Sequence, residues 1–314
     1  MINLENLASA IPDRARGGLL AIGNFDGVHQ GHAHLLGRLR ARADAEGVAA
    51  VALTFDPHPV ALLRPEALPE PLNWIERNVD LLKQAGATDV GIFRTGDWLL
   101  KLTAREFFAG VVLDQFAAQG LVEGSNFGFG RAREGNVDLL TELCRQAHLS
   151  LEVVPPIEVD GLPVSSSRIR KLLLEGRVDQ AHTLLGRPHR LRGVVSRGAG
   201  RGAGLGFPTA NLTEIATLIP LDGVYAVRAF VEGAAQSYPG ACHIGPNVSF
   251  GEQDRKVEVH LIGFSGDLYG SRMEIDILKC LRGVRKFTGI EDLLAQIGRD
   301  VEQAKQIVGQ VHII

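Results

Sequence analysis

Between Leu19 and about Leu185, short apolar runs alternate with segments whose apolar residues recur every three or four positions. "GLLAIGNF" and "VAAVALTF" are compact apolar runs bounded by turn-forming residues, which predicts parallel strands buried on both faces. Between them, "GHAHLLGRLRARADAEG" carries Leu35, Leu36 and Leu39 at helical spacing, with Gly47 placed to stop the helix. "DVGIF", "GLVEG" and "LEVVPPIEV" predict further strands. Helices are expected over "NWIERNVDLLKQAG", "TAREFFAGVVLDQF", "VDLLTELCRQAH" and "SSSRIRKLLLEG". Alternation of this kind predicts a doubly wound α/β sheet, in which ligands sit beyond the carboxyl ends of the strands.

The pattern changes near "LGRPHRLRG". After it, strand-like segments dominate: "RLRGVVS", "GVYAVRAFV", "QSYPGACHIG", "KVEVHLIGF" and "RMEIDILKCL", separated by Gly and Pro. They predict a small antiparallel β-barrel or sandwich. A last helix, over about 290–308, presents Leu293, Leu294, Ile297, Val301 and Ala304 as an apolar face. A chain of 314 residues exceeds what one core usually serves, so two domains are expected, 1–185 and 186–314.

Composition narrows the function classes. With 33 basic and 36 acidic residues the net charge is −3, which supplies no field for nucleic acid or a membrane surface. Any polyanion must be held by local groups. Cys144, Cys242 and Cys280 are far apart and form no CxxC pair, which fits a reducing compartment. Cys242 reads as a small buried residue rather than a catalytic thiol. "MINLENLASAIPDRARGG" lacks the basic and apolar blocks of a signal peptide, and no apolar run reaches membrane-spanning length. A cytoplasmic protein is expected.

Chemistry is concentrated at two places. "FDGVHQGH" directly follows the first predicted strand. A metal site would need a third ligand, and no HExxH or Cys/His cluster stands nearby. Capping and packing are alternatives for His29 and His32, although they leave Gly27 and Gly31 unexplained. A phosphate site explains more, because a helix starting near Gly31 aims its free amides and positive dipole end at the strand edge. "VSSSRIRKLL" offers hydroxyls and guanidinium groups at another helix start, as an anion site or as a plain Ser cap with a solvated basic face.

The second place is "RGAGRGAGLGFPTANL". Gly198, Gly200 and Ala203 imitate a dinucleotide-binding motif, with Asp222 about twenty residues on, but Pro208 would break the helix that this motif needs. Glycines let amides approach phosphates closely, and Thr209 and Asn211, two apart, point the same way in an extended segment. Oxygen ligands of this kind suit magnesium; a turn bonded to its own backbone is the alternative. In "KVEVHLIGF", Val257, Val259 and Leu261 alternate with Glu258 and His260, so Glu258 faces away from the valines, where a carboxylate is solvated or acts as a base.

"GNFDGVHQGH", "TFDPHP", "GSNFGFG" and "SSSRIR" together resemble the adenylyltransferase module of bacterial bifunctional riboflavin kinase/FAD synthetases, an HxGH nucleotidyltransferase with a Rossmann-like sheet. The resemblance implies that His29 and His32 act on the ATP phosphates, with Gly23, Phe25, Asp26 and Gly31 in the same nucleotide site. It implies a second phosphate clamp from Ser165, Ser166 and Arg168, and a nucleotide and flavin-phosphate site shaped by Pro57, His58, Pro59 and Asn126. Two departures stand out: the family often has a basic residue where this chain has Gly128, and a lysine near Asn78.

"GRGAGLGFPTANL", "DGVYAV", "HIGPNVSFG", "EVHLIGFSGDLYG" and "LRGVRKF" resemble, in order, the riboflavin kinase module, a six-stranded antiparallel β-barrel followed here by a C-terminal helix. "GPNVSFG" stands where the family often has "NPTFG". The resemblance implies that Thr209 and Asn211 bind magnesium with ATP, and that Glu258 takes the proton from the riboflavin 5′-hydroxyl. It places Gly198, Gly202, Gly204 and Gly206 over the phosphates, and Arg282 and Arg285 near the flavin. The implied function is phosphorylation of riboflavin to FMN and adenylylation of FMN to FAD. Expected partners are these small molecules, with no nucleic acid and no membrane, in a monomer or weak homo-oligomer. A kinase with an impaired N-terminal domain, a non-catalytic flavin-binding regulator, and transfer to another phosphate remain the rival outcomes.

Overall fold

The computed structural model describes residues 1–7, 9–198 and 200–310. Ala199, inside the glycine-rich segment singled out above, lies outside the described residues. The chain divides into two compact units, 1–69 with 73–165, and 70–72 with 166–314.

In the first unit the elements run β1 (Ile2–Leu4), β2 (Leu19–Ile22), α1 (Gln30–Glu46), β3 (Ala50–Asp56), α2 (Val60–Leu63), α3 (Ile75–Gln84), β4 (Asp89–Arg94), α4 (Asp97–Leu100) and α5 (Ala104–Phe107). After a π-helical stretch, Phe108–Gln115, come β5 (Gly120–Gly124), α6 (Val137–Gln146), β6 (Ser150–Val154) and a small hairpin of β7 (Glu158–Val159) and β8 (Leu162–Pro163). The main sheet is parallel, in the order β1-β4-β3-β2-β5-β6. Order reverses on either side of β2, so the switch point lies between β2 and β5.

β2 is buried throughout because both faces are covered. Leu19 and Ala21 pack toward α1 and α3, while Leu20 and Ile22 face Phe93, Phe108 and Leu140. α1 buries Leu35, Leu36, Leu39 and Ala43, and ends at Gly47, whose φ of 69° is the left-handed turn that glycine tolerates.

Three differences from the sequence reading have simple causes. "LEVVPPIEV" is not one strand: Pro155 and Pro156 interrupt it, leaving β6 and the β7–β8 hairpin. The helix expected from Ala104 becomes π-helical after Phe107. β1 carries no period of its own, being three residues long, and exists by pairing Ile2, Leu4 and Asn3 with β4.

The second unit contains α7 (Ser166–Leu174), α8 (Val178–Leu185), β9 (His189–Ser196), α9 (Arg201–Gly204), β10 (Ala210–Thr213), β11 (Gly223–Val231), β12 (Ser237–Gly245), β13 (Lys256–Leu261), β14 (Arg272–Gly283) and α10 (Ile290–Gln310). Six strands close a barrel in the order β10-β13-β12-β11-β14-β9, all paired antiparallel. Its core includes Tyr225, Val227, Val259 and Ile275, all without exposure. The change of sequence pattern falls near Leu185, whereas the compact unit begins at Ser166. α7 and α8 join the barrel because Leu221 donates its N–H to the Leu173 carbonyl at 3.0 Å and α8 packs on β9 and β14.

Candidate functional site

The first constellation sits where the β2–β5 ladder ends. These strands pair only at Leu19 with Gly120 and Leu20 with Leu121. Beyond that point an oxygen of the Glu123 carboxyl group accepts the Ile22 N–H at 2.8 Å, so a side chain completes the ladder. Glu123 is buried, and desolvation pushes its carboxyl well above the usual range, with the Ile22 bond opposing.

The chain then turns sharply. Gly23 donates to the Leu53 carbonyl at 3.0 Å, and the buried Thr54 hydroxyl donates to the Asn24 carbonyl at 3.0 Å. Phe25, Gly27 and Val28 all have positive φ, at 46°, 83° and 38°. Two of these are not glycine, a strain that folds tolerate where a loop must hold a special shape.

The turn delivers His29 to the N-cap of α1. Its Nδ1 accepts the His32 N–H at 3.4 Å, and the two rings stack with centroids 3.7 Å apart. Phe25 meets His32 edge-on at 5.2 Å. The bland expectation, a capping and packed histidine, is therefore present beside the anion-binding geometry of a helix start. Gly31 has a local reason: a Cβ there would stand 3.2 Å from the His29 ring and 3.8 Å from the Val164 carbonyl. The segment leading into Ser165 thus runs past the helix start. Ser165 ends the first unit, while Ser166 opens α7 with Arg168 in its first turn.

Two loops share this sheet edge. Pro57, His58 and Pro59 follow β3 through a cis Asp56–Pro57 peptide, and His58 Nδ1 accepts the Val60 N–H at 3.1 Å. Asn126 follows β5 and is exposed. A Cβ at Gly128 would stand 2.9 Å from Nε and 3.0 Å from Nη2 of Arg133, which also donates to the Asn126 carbonyl at 3.4 Å. The guanidinium of Arg133 therefore occupies the space of a side chain at 128. Sequence reading missed it, because nothing in "GRAREG" says that the chain turns back on itself. Asn78 is buried in α3 and accepts from Asn73 Nδ2 at 3.3 Å.

The second constellation lines a cavity of about 170 Å³ in the second unit, far more than one water requires. Strand pairing builds its wall as a row. Asn211 lies opposite Glu258, Glu258 opposite His243, His243 opposite Val224, and Val224 opposite Arg282. All five line the cavity. Val257, Val259 and Leu261 are buried, so period two turns Glu258 the other way, as the sequence predicted. Asn247 Nδ2 donates to Glu258 Oε2 at 3.2 Å and orients the carboxylate. Asn247 was missed: it stands in a loop, where no periodicity assigns a direction.

Thr209 lines the same cavity, with Gly200 and Gly202. Arg201–Gly204 form only one turn of helix, which ends well before Pro208. Gly198 lies directly against the Asn211 amide, and a Cβ at Gly202 would stand 3.4 Å from Thr209 Oγ1. Side chains there would fill the space around the two oxygen donors. A Cβ at Gly204 or Gly206 would meet nothing within 4 Å among the described residues, and Gly206 has φ 83°. Among the described residues no cluster of three His, Cys, Asp or Glu side chains is arranged to hold a metal. Thr209 and Asn211 are neutral oxygen donors, which fit magnesium arriving with phosphate charge of its own.

Another part of the lining comes from α10. Leu293, Ile297 and Val301 line the cavity, so part of the predicted core stripe is a cavity wall. Arg282 Nε donates to buried Asp300 at 2.9 Å, Gln296 donates to the same carboxylate at 2.7 Å, and Arg285 donates to Gln296 at 2.6 Å. Both guanidinium groups also lie over Phe287, at 5.6 and 4.6 Å. Cys242 is fully buried, and burial pushes its thiol up, against any role as a thiolate. The Cys144 thiol is likewise pushed up to about 11.

Comparison with known proteins gives the same order of functions along the chain. A family model described as FAD synthetase matches residues 11–168, and one described as riboflavin kinase matches 185–308. A bifunctional riboflavin kinase/FMN adenylyltransferase of Pseudomonas fluorescens is 37% identical, with 93% of each chain covered. Proteins of that description from Bacillus subtilis and Escherichia coli are 32% and 30% identical, covering 91% and 98% of this chain and 91% and 96% of their own. A Streptococcus pneumoniae crystal structure titled a macrolide-efflux protein superposes with a TM-score of 0.87 at 29% identity, covering 97% of this chain and 98% of that one. Among the described residues here, no helix is long and apolar enough to cross a membrane. The chain belongs to the family of bifunctional riboflavin kinase/FMN adenylyltransferases, with an FAD synthetase domain preceding a riboflavin kinase domain.

Proposed function

We propose that the barrel site phosphorylates riboflavin through Glu258, and that the HxGH site transfers the adenylyl group to FMN. The observation that carries the kinase assignment is the row Asn211–Glu258–His243 on the cavity wall. Glu258 takes the proton of the 5′-hydroxyl as that oxygen attacks the γ-phosphorus of ATP and ADP leaves with the bridging oxygen, and Asn247 holds the carboxylate in line. Thr209 and Asn211 would hold magnesium, which when bound neutralises phosphate charge. Gly198, Gly202, Gly204 and Gly206 allow the loop to close over the phosphates. The α10 wall, with Arg282 and Arg285, frames the flavin ring.

In the first unit, His29 and His32 and the α1 amides stabilise charge on the ATP phosphates as the FMN phosphate attacks the α-phosphorus and pyrophosphate leaves. Gly23, Phe25, Asp26 and Gly31 shape this turn, and Ser165, with Ser166 and Arg168 from the start of α7, supplies the second clamp. Pro57, His58, Pro59 and Asn126 bound the flavin-phosphate side. Arg133, lying against Gly128, supplies the cation there. The activities divide as 1–185 and 186–314, in a cytoplasmic monomer or weak homo-oligomer.

The test is incubation of purified protein with riboflavin, ATP and magnesium, with flavins separated over time. FMN first and FAD after it is the expected result. FMN alone, even with added FMN and excess ATP, would remove the synthetase assignment. Neither product from folded protein would leave a flavin-binding regulator.

A further inference from the structure

Among the described residues, a buried polar atom of the barrel cavity has no partner. His243 lines the cavity, and its Nε2 is buried without a hydrogen bond. The backbone groups of Pro246 and Gly245 act on the ring in the sense that favours a proton on the nitrogen facing them. Proline has no N–H, so the Pro246 group is a carbonyl and the ring nitrogen facing it carries the proton. Nδ1 is then the donor, and Nε2 presents a lone pair.

Burial lowers the imidazole below its ordinary value, with Glu258 opposing, which favours the neutral ring and its lone pair. A buried acceptor without a donor is costly, and such an atom on a cavity wall is satisfied when a ligand brings the donor.

The position says which donor. His243 is paired directly across the β12–β13 ladder with Glu258, and directly opposed side chains stand about 5 Å apart. On the reading above, Glu258 meets the terminal hydroxyl of a polyol chain. The substrate groups within one or two carbons of that hydroxyl are further hydroxyls, each a donor. The apolar residues Leu293, Ile297 and Val301 of α10 also line the cavity and offer the flat ring its own surface.

We propose that His243 is a substrate-positioning residue of the kinase site: its Nε2 accepts a hydrogen bond from a secondary hydroxyl of the ribityl chain and sets the terminal hydroxyl at Glu258. The proposal rests on the kinase assignment of this cavity. Its consequence is selectivity for the polyol rather than for the flavin ring.

The test compares riboflavin with lumiflavin, which keeps the ring and has no hydroxyl chain. Binding of each is measured by flavin fluorescence for wild type, His243→Phe, which fills the space without an acceptor, and His243→Gln, which restores one. Riboflavin affinity should fall about tenfold in His243→Phe while lumiflavin affinity stays within about twofold. His243→Gln should recover most of the riboflavin affinity, and the KM for riboflavin should follow the same order. Equal losses for both flavins, including loss of all binding, would make His243 a packing residue and overturn the proposal. Unchanged riboflavin affinity would overturn it as well. Wild type that makes no FMN would instead sink the kinase assignment; wild type that makes FMN with an indifferent His243→Phe sinks only this inference.

Discussion

The two sites of this chain are built in opposite ways. The HxGH site stands on a turn and a helix start, where backbone shape does the positioning: Phe25, Gly27 and Val28 hold left-handed conformations, and His29 caps α1. The barrel site stands on the faces of strands, where Asn211, Glu258 and His243 are aligned by ladder register. A turn of this kind concentrates amides and a dipole end at one point, which suits charge on phosphates. A strand row spaces side chains at regular intervals, which suits a base, a metal ligand and a hydroxyl acceptor along an extended substrate. The difference teaches that side-chain truncation in the barrel should remove chemistry and leave geometry, whereas changes near the turn should disturb both.

The largest effect that separates the sites is Glu258→Ala. FMN formation should fall by about 10²- to 10⁴-fold while FAD formation from supplied FMN is unchanged. Loss of both activities in folded protein would break the comparison. His32→Ala should give the mirror image, with FAD formation down by about 10²- to 10³-fold and FMN formation retained; undiminished FAD synthesis would remove the HxGH assignment.

Arg133→Ala sharpens the comparison within the first unit. The KM for FMN in the adenylyl transfer should rise about tenfold, with riboflavin phosphorylation unaffected. An unchanged KM would mean that the guanidinium beside Gly128 only packs.

The smallest effect concerns stability at the turn. The folded chain holds the Glu123 proton after the unfolded chain has lost it, because burial raises the folded value above the ordinary 4.5. Stability therefore declines as pH rises above that value toward the folded one. Glu123→Gln keeps an acceptor for the Ile22 N–H and does not titrate. In urea unfolding its advantage over wild type should be absent below the unfolded value and grow as pH rises above it, by up to about 1.4 kcal/mol per pH unit until the folded value is reached. A constant difference across that range would show that Glu123 is not protonated in the fold.

Much of this was legible in one dimension. The run before "FDGVHQGH" predicted a buried strand, and β2 is buried at every position. The alternation in "KVEVHL" assigned Glu258 to the face away from the valines, where it stands. Other features left no mark in the sequence. β1 is too short to show a period and exists by pairing with β4. Leu293, Ile297 and Val301 recur every four residues like a core stripe, yet they face a cavity, because periodicity reports a shared side and not what lies opposite.

The sequence by itself determined the type and order of the elements and the side of each strand on which a residue stands, since these depend on neighbours a few positions away. Tertiary structure alone decided which distant residues meet. Ladder register set Asn211, Glu258 and His243 in one row although they are separated by up to 47 positions. Such meetings depend on chain closure and on which strand edges pair, and no local pattern of residue types encodes either.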